Sequence, residues 1–170
     1  MFFRIFENKF VDDRFHLGIL RQKPFAVAKI RGSEKYKRIN GEVFFFNAPG
    51  GVLVSVSVDN LPTSQEPCAL NIFGFHLHEG AECKDGEIPF DSAGEHYNPN
   101  SCPHPAHAGD FPPLFAGKNG HGFATFWTDR ITLNEIVGKT ALIHLMPDDL
   151  STQPSGNSGE RIACGVVVRD

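Results

Sequence analysis

From Ala26 onward the chain alternates short apolar runs with turn-forming residues, in the order AVAKIRGS, GEVFFFNAPGG, VLVSVSVDNLP and NIFGFHLHEG. Between Val52 and Val58 every second residue is valine, with Leu53, Ser55 and Ser57 in the alternate places. A period of two puts one set on each face of an extended chain, so this run predicts a half-buried strand. Ala48, Pro49, Gly50 and Gly51 supply the turn before it. Further on, Asn119-Gly120 predicts a hairpin inside PLFAGKNGHGFATFWTD, and TALIHLM and RIACGVVVR add two more strands.

Helical character is confined to one turn near Leu133 to Val137. With 17 Gly and 12 Pro punctuating so many short runs, the pattern predicts an all-β domain over residues 25–170. Its expected form is a Greek-key β-barrel or sandwich of about eight antiparallel strands. Residues 1–24 follow neither period and end at Pro24, so they are expected to form an N-terminal extension. Two stretches, Glu79 to Asp110 and Leu145 to Arg161, have no strand or helix period. Loops that long in a compact domain are usually functional or disordered, and these carry or flank histidines, which favours function.

A chain of 170 residues is long enough to bury a core without help from metal or disulfide. Its 16 Lys+Arg and 20 Asp+Glu leave a formal charge of -4. No basic run would track a phosphate backbone, which argues against nucleic acid as a partner. No stretch approaches the roughly 20 apolar residues of a membrane span. Arg4, Glu7, Lys9, Asp12 and Asp13 interrupt the N-terminal apolar residues where a secretory signal needs an unbroken core. Localisation is therefore expected to lean cytoplasmic. The four cysteines, Cys68, Cys83, Cys102 and Cys164, show no CxxC spacing, which removes a thiolate zinc knuckle and a thioredoxin-like motif. Three pairings, or four free thiols, remain open.

Candidate chemistry lies in the histidines. GFHLHEG, GEHYNP, PHPAHAGD and KTALIHLMPDD together supply His76, His78, His96, His104, His107, Asp110 and His144. Imidazole is the commonest side-chain ligand of zinc and copper, and one carboxylate among histidines suits a small four-coordinate site. His76 and His78 stand two apart in a strand-like run, so both rings leave the same face of a sheet. His104, His107 and Asp110 recur at intervals of three, but Pro103, Pro105 and Gly109 rule out a helix, leaving a loop that wraps its side chains inward. Ordering so irregular a loop is costly, and a bound ion would offset that cost. His144 in an apolar strand would complete a four-nitrogen set with His76, His78 and His96, an arrangement that suits copper(II). His16 and His121 are expected to be ordinary polar residues. Trp127, Phe123 and the run Phe44 to Phe46 suit core or subunit contact, a homodimer among the options.

Taken in order, GFHLHE, GEHYNP, HAGD, GKTALIH, the following DDL and GNSGERIACGV resemble the copper/zinc superoxide dismutases, from about Ala26 to the C-terminus. The resemblance implies copper at His76, His78, His96 and His144, and zinc at His96, His104, His107 and Asp110, with His96 bridging the two. It implies that Asp148 links a copper-ligand histidine to a zinc-ligand histidine, and that Arg161 holds the superoxide anion. The implied activity is disproportionation of superoxide to dioxygen and hydrogen peroxide. Copper would cycle by one electron, zinc would be the structural partner, and His96 would leave copper to carry a proton. A rival on the same scaffold is a copper or zinc carrier, or a zinc-only structural domain, without fast turnover.

The resemblance also implies a disulfide between Cys83 and Cys164, with Cys83 placed as in many bacterial members and a longer stretch between Cys83 and His96 than in eukaryotic ones. Cys68 and Cys102 have no counterpart; a second disulfide and two free thiols are the alternatives, and geometry decides. The segment Leu145 to Glu160 is shorter than in the family and contains no lysine or arginine. The family uses positive charge there to steer superoxide, so slower and less salt-sensitive turnover is expected.

Overall fold

The computed structural model describes residues 18–170, so the extension expected over residues 1–24 lies outside the described residues except at its end. Among the described residues nine strands form: β1 (Ala26–Gly32), β2 (Asn40–Ala48), β3 (Gly51–Asp59), β4 (Ile72–Phe73), β5 (Phe75–His78), β6 (Leu114–Phe115), β7 (Gly122–Thr128), β8 (Thr140–His144) and β9 (Arg161–Arg169). Seven make one curled antiparallel sheet in the order β5-β8-β9-β1-β2-β3-β7, and β4 pairs with β6 beside it. A bridge from Ala116 to Gly122 joins the end of β6 to the start of β7. This is the all-β barrel architecture that the strand spacing predicts. No helix among the described residues is long and apolar enough to cross a membrane.

Alternation decides which side of each strand faces in. On β1, Ala26, Ala28 and Ile30 are buried while Lys29 and Arg31 point out. On β3 the four valines Val52, Val54, Val56 and Val58 enter the core as the period of two requires. The outer face of that strand departs from the half-buried expectation, because Leu53 is 1% exposed. It lies opposite Phe46 on β2 and packs with Ile19, Phe46 and Ala48 in a small cluster outside the barrel. A residue just before the barrel thus covers a patch that strand periodicity assigns to solvent. The Phe44 to Phe46 run splits accordingly, with Phe45 in the main core and Phe46 in the outer cluster. Of the two alternatives for Phe123 and Trp127, core and subunit contact, the core one is corrected: they are 58% and 46% exposed on the outer face of the edge strand β7.

The two long stretches stay irregular. Between β5 and β6 the only helical element is a 3-10 turn at Asp91–Ala93, and between β8 and β9 there is none. The Cys83–Cys164 disulfide ties the first stretch to β9. Closing a loop of 81 residues removes enough unfolded-state freedom to contribute about 4.5 kcal/mol on the chain-entropy account. The second disulfide does not form: Cys68 and Cys102 are both free. Each belongs to a different local network. The turn bearing Cys68 is held through Gln65 and Lys118, whereas the main chain of Cys102 is held on both sides by the Asn98 amide.

Leu53→Ala should lower unfolding free energy by about 2–5 kcal/mol, and Phe123→Ala should change it by no more than about 0.5 kcal/mol. Urea denaturation of the two variants against the parent checks the contrast.

Candidate metal centre

The strand β5 carries the first two rings. Phe75 and Leu77 point into the barrel, where Phe75 packs on Phe111 at 5.3 Å between ring centroids. His76 and His78 therefore leave the other face, yet both are fully buried, because the 79–113 loop lies over them. The covering is built by main-chain hydrogen bonds along β5. Leu77 N–H donates to Gly109 O (2.9 Å), Tyr97 N–H to Leu77 O (2.8 Å) and Glu79 N–H to Glu95 O (3.0 Å). These bonds set His96 beside His78 and Asp110 beside His76. His144 ends β8 at a bulge, directly across from Arg161 on β9.

Hydrogen bonds then fix which nitrogen of each ring is bare. A carbonyl can only accept, so His78 Nδ1, 2.9 Å from Gly94 O, carries the proton, and His144 Nδ1 faces Gly159 O in the same way at 3.4 Å. Their two Nε2 atoms, both left with lone pairs, face one another at 3.3 Å. Two lone pairs at that distance repel unless a cation lies between them. Asp148 accepts from His76 Nε2 through Oδ2 and from His104 Nε2 through Oδ1, both at 2.9 Å, which leaves the Nδ1 of each ring bare. Gly156 makes room for this arrangement: at φ +68, a Cβ added there would sit 2.0 Å from Asp148 Oδ1.

Two donor groups result, one of His76, His78, His96 and His144 and the other of His96, His104, His107 and Asp110, and within each the donor atoms lie within 4.8 Å of one another. His96 belongs to both. Its Nδ1 lies 2.7 Å from Asp110 Oδ1, and its Nε2 is turned to the other group. His76 Nδ1, His96 Nε2, His104 Nδ1 and His107 Nδ1 are buried and form no hydrogen bond. His104 Nδ1 lies 3.1 Å from Asp110 Oδ2 and His107 Nδ1 3.3 Å from Asp110 Oδ1 without hydrogen-bond geometry, the pattern of donors converging on a common centre. Orphaned nitrogens in the dry interior are costly, and both groups fit a nitrogen-loving metal ion.

The charge states follow from burial. Desolvation holds His76 below its ordinary 6.5 against the pull of Asp148. It holds His78 and His144 well below, reinforced by the neighbouring imidazoles. Burial tends to raise the carboxyls, but hydrogen bonds from His76, Leu150 N–H and His104 outweigh it at Asp148 and take it below the usual carboxylate range. The His96 bond and charge do the same for Asp110.

The Arg161 guanidinium is forked over two carbonyls, Nη1 to Phe90 O at 3.0 Å and Nη2 to Gly94 O at 2.6 Å. Burial lowers its pKa while Glu95 and Asp91 oppose that, and a guanidinium stays charged throughout. Gly94 O thus serves both Arg161 and His78. Phe90 and Gly94 enter the site through their main-chain carbonyls, which a search for reactive side chains misses. The one sequence signal was the glycine of GEHYNP, which sits at φ +68.

An antiparallel β-barrel carrying two adjoining imidazole-rich groups around one shared ring defines a class of protein that could hold a pair of metal ions. The sequence profile described as "Copper/zinc superoxide dismutase (SODC)" matches residues 39–167. Proteins named "Superoxide dismutase [Cu-Zn]" from Deinococcus radiodurans and Legionella pneumophila are each 33% identical. They align over 147 and 131 residues, covering 76% and 75% of this chain and 77% and 76% of theirs. "Superoxide dismutase [Cu-Zn] 2" of Aquifex aeolicus is 35% identical over 141 residues, 75% of this chain and 78% of its own. The chain belongs to the copper/zinc superoxide dismutase family.

For the metal-free, disulfide-bonded protein the pH dependence has one sign. His76, His78 and His144 have folded pKa values below the ordinary 6.5, so the unfolded chain binds more protons and stability is lost as pH falls below that value. Asp110 and Asp148 are depressed below their ordinary 3.8, so their contribution is present above it and lost as pH falls further. Thermal scans from pH 8 to pH 3 should show a midpoint falling from about pH 6.5 and falling again near about pH 4. A midpoint rising on acidification through either range would contradict these assignments.

Proposed function

We propose that this chain disproportionates superoxide, with copper held by His76 Nδ1 and by Nε2 of His78, His96 and His144. Zinc would be held by Nδ1 of His96, His104 and His107 and by the Asp110 carboxylate. The observation that carries this reading is the placement of His96 in both donor groups, with one ring nitrogen turned to each. A storage site needs no shared ring, whereas an imidazole that can be released from one side supplies a proton carrier inside a dry site.

The reaction takes two superoxide anions and two protons to dioxygen and hydrogen peroxide. Copper when bound supplies the one-electron couple that zinc lacks. The chain supplies the rest. His96 Nε2 is buried, bare and aimed into the first group, so it can take up a proton and give it to the reduced anion, with the second proton coming from solvent. His96 Nδ1, opposite Asp110, keeps the ring from turning away while this happens. Arg161 lies across from His144, and two of its five N–H donors are committed to carbonyls that fix its plane. The remaining edge of a permanent cation is free to hold the anion.

The 145–160 segment has Asp148, Asp149 and Glu160 and no cation, and Lys35 is drawn onto Glu160 at 2.7 Å. Attraction of the anion therefore rests on Arg161 and the metal ions, a short-range field that salt screens little.

Pulse radiolysis of protein loaded with one copper and one zinc should show catalytic superoxide decay that His144→Ala abolishes. Arg161→Ala should lower kcat/KM at least roughly ten-fold, as for loss of a charge-stabilising donor. Raising salt should depress kcat/KM only weakly. Metal bound stoichiometrically with no decay above the solution background would instead support a metal carrier, and a steep salt dependence would refute the short-range field.

A further inference from the structure

His104 is gripped at its main chain as well as at its ring. The Gln153 side chain accepts from His104 N–H at Oε1 (3.0 Å) and donates from Nε2 to His104 O (2.6 Å). One amide thereby satisfies both main-chain groups of one residue, as a neighbouring strand would, and only one orientation of that amide makes both bonds. The local sequence makes such help necessary. Pro103 and Pro105 flank His104 and offer no N–H of their own, and His104 is 3% exposed, so water is no substitute partner.

The same segment holds the ring, through Asp148 Oδ1 on His104 Nε2 at 2.9 Å. Gln153 arrives already oriented. Asp149 Oδ1 accepts from Ser151 N–H (2.9 Å) and Thr152 N–H (2.7 Å), and its Oδ2 accepts from the Thr152 hydroxyl (2.6 Å). These bonds hold the Asp149 carboxyl down at about 2. Asp149 N–H to Gly156 O (2.9 Å) and Gly156 N–H to Thr152 O (2.7 Å) close the turn on itself. Gln153 is itself exposed and lends nothing to the core, so its two bonds to His104 do not duplicate a packing role.

We propose that Gln153 is a positioning residue for the zinc site: by fixing the main chain of His104 it sets the direction of the bare Nδ1, and so the affinity and geometry of the ion held there. The inference rests on reading His96, His104, His107 and Asp110 as that site. Outer contacts that orient a ligand are commonly worth ten-fold or more in metal affinity. Gln153 makes this contact from across a loop gap of 49 residues, in a segment with no other role toward zinc than the Asp148 carboxylate.

The test compares Gln153→Ala and the unbranched, non-bonding Gln153→Met with the parent, in disulfide-bonded protein loaded with copper and zinc. Both variants should release zinc to a competing chelator with an affinity about ten-fold weaker. Both should alter the visible bands when cobalt(II) is substituted at the zinc position, and should speed hydrogen exchange at the His104 amide. Circular dichroism should stay at parental values, and the thermal midpoint of the metal-free form should fall by the same modest amount in both variants, as leaving the buried His104 N–H and C=O unpaired requires. Parental zinc affinity, cobalt spectrum and His104 exchange in both variants would overturn the proposal. A parent that takes up neither zinc nor tetrahedral cobalt would overturn the reading of the site itself, a result distinguishable from the first because it appears without any substitution.

Discussion

Six imidazoles packed out of reach of water, with bare nitrogens turned on one another, set the terms for everything else in this molecule. Left alone, such a cluster is unfavourable twice over: it loses the hydration of its lone pairs and it sets them against each other. At His78 and His144 protonation offers no escape, because burial has taken both well below the range in which they would charge. A pair of cations relieves both costs, and the binding free energy of those cations then becomes folding free energy for the loops around them. The barrel is the part that can stand alone, and the loops are the part that needs the ions.

That division explains how the elements are used. β5 and β8 supply His76, His78 and His144 from rigid, hydrogen-bonded backbone, where a ring is held by packing and cannot drift. The other donors lie on irregular chain, and each is tied back by polar contacts: Asp110 to His96 and the His107 amide, Asp148 to His76 and His104, Gly94 O to His78 and Arg161. Asp148 has particular reach, since one carboxylate fixes a ring in each donor group. Arg161 and His78 share a single carbonyl, Gly94 O, so one peptide unit orients both side chains.

Much of this was legible in the sequence because the chemistry there is carried by side chains at telling intervals. HxH in an alternating run says which face two rings share, and prolines between loop histidines say that the chain must wrap around something. Resemblance of the ordered motifs to a known family supplied the roles of Asp148, Arg161 and the Cys83 partner. What stayed hidden depended on contacts between distant segments. Leu53 looks solvent-facing until Ile19 is seen to cover it, core stays open beside subunit contact for Trp127 and Phe123 until β7 proves to be an edge, and Cys68 and Cys102 look pairable until their separate anchors are seen. Gln153 carries no signal in any local pattern, because its importance comes from the main chain of a residue far away in sequence.

The disulfide has a consequence beyond stiffness. Running from Cys83 to Cys164, it makes the chain a covalent ring that contains His96, His104, His107, Asp110, His144, Asp148 and Arg161, with His76 and His78 just outside on β5. The longest exposed run inside that ring is 149–154, the kind of loop tip a protease finds first. A single cut there would open the ring into a line without separating it into two molecules. Both ends of the break would remain tethered to the same barrel, and the residues of the site would stay at one another's local concentration.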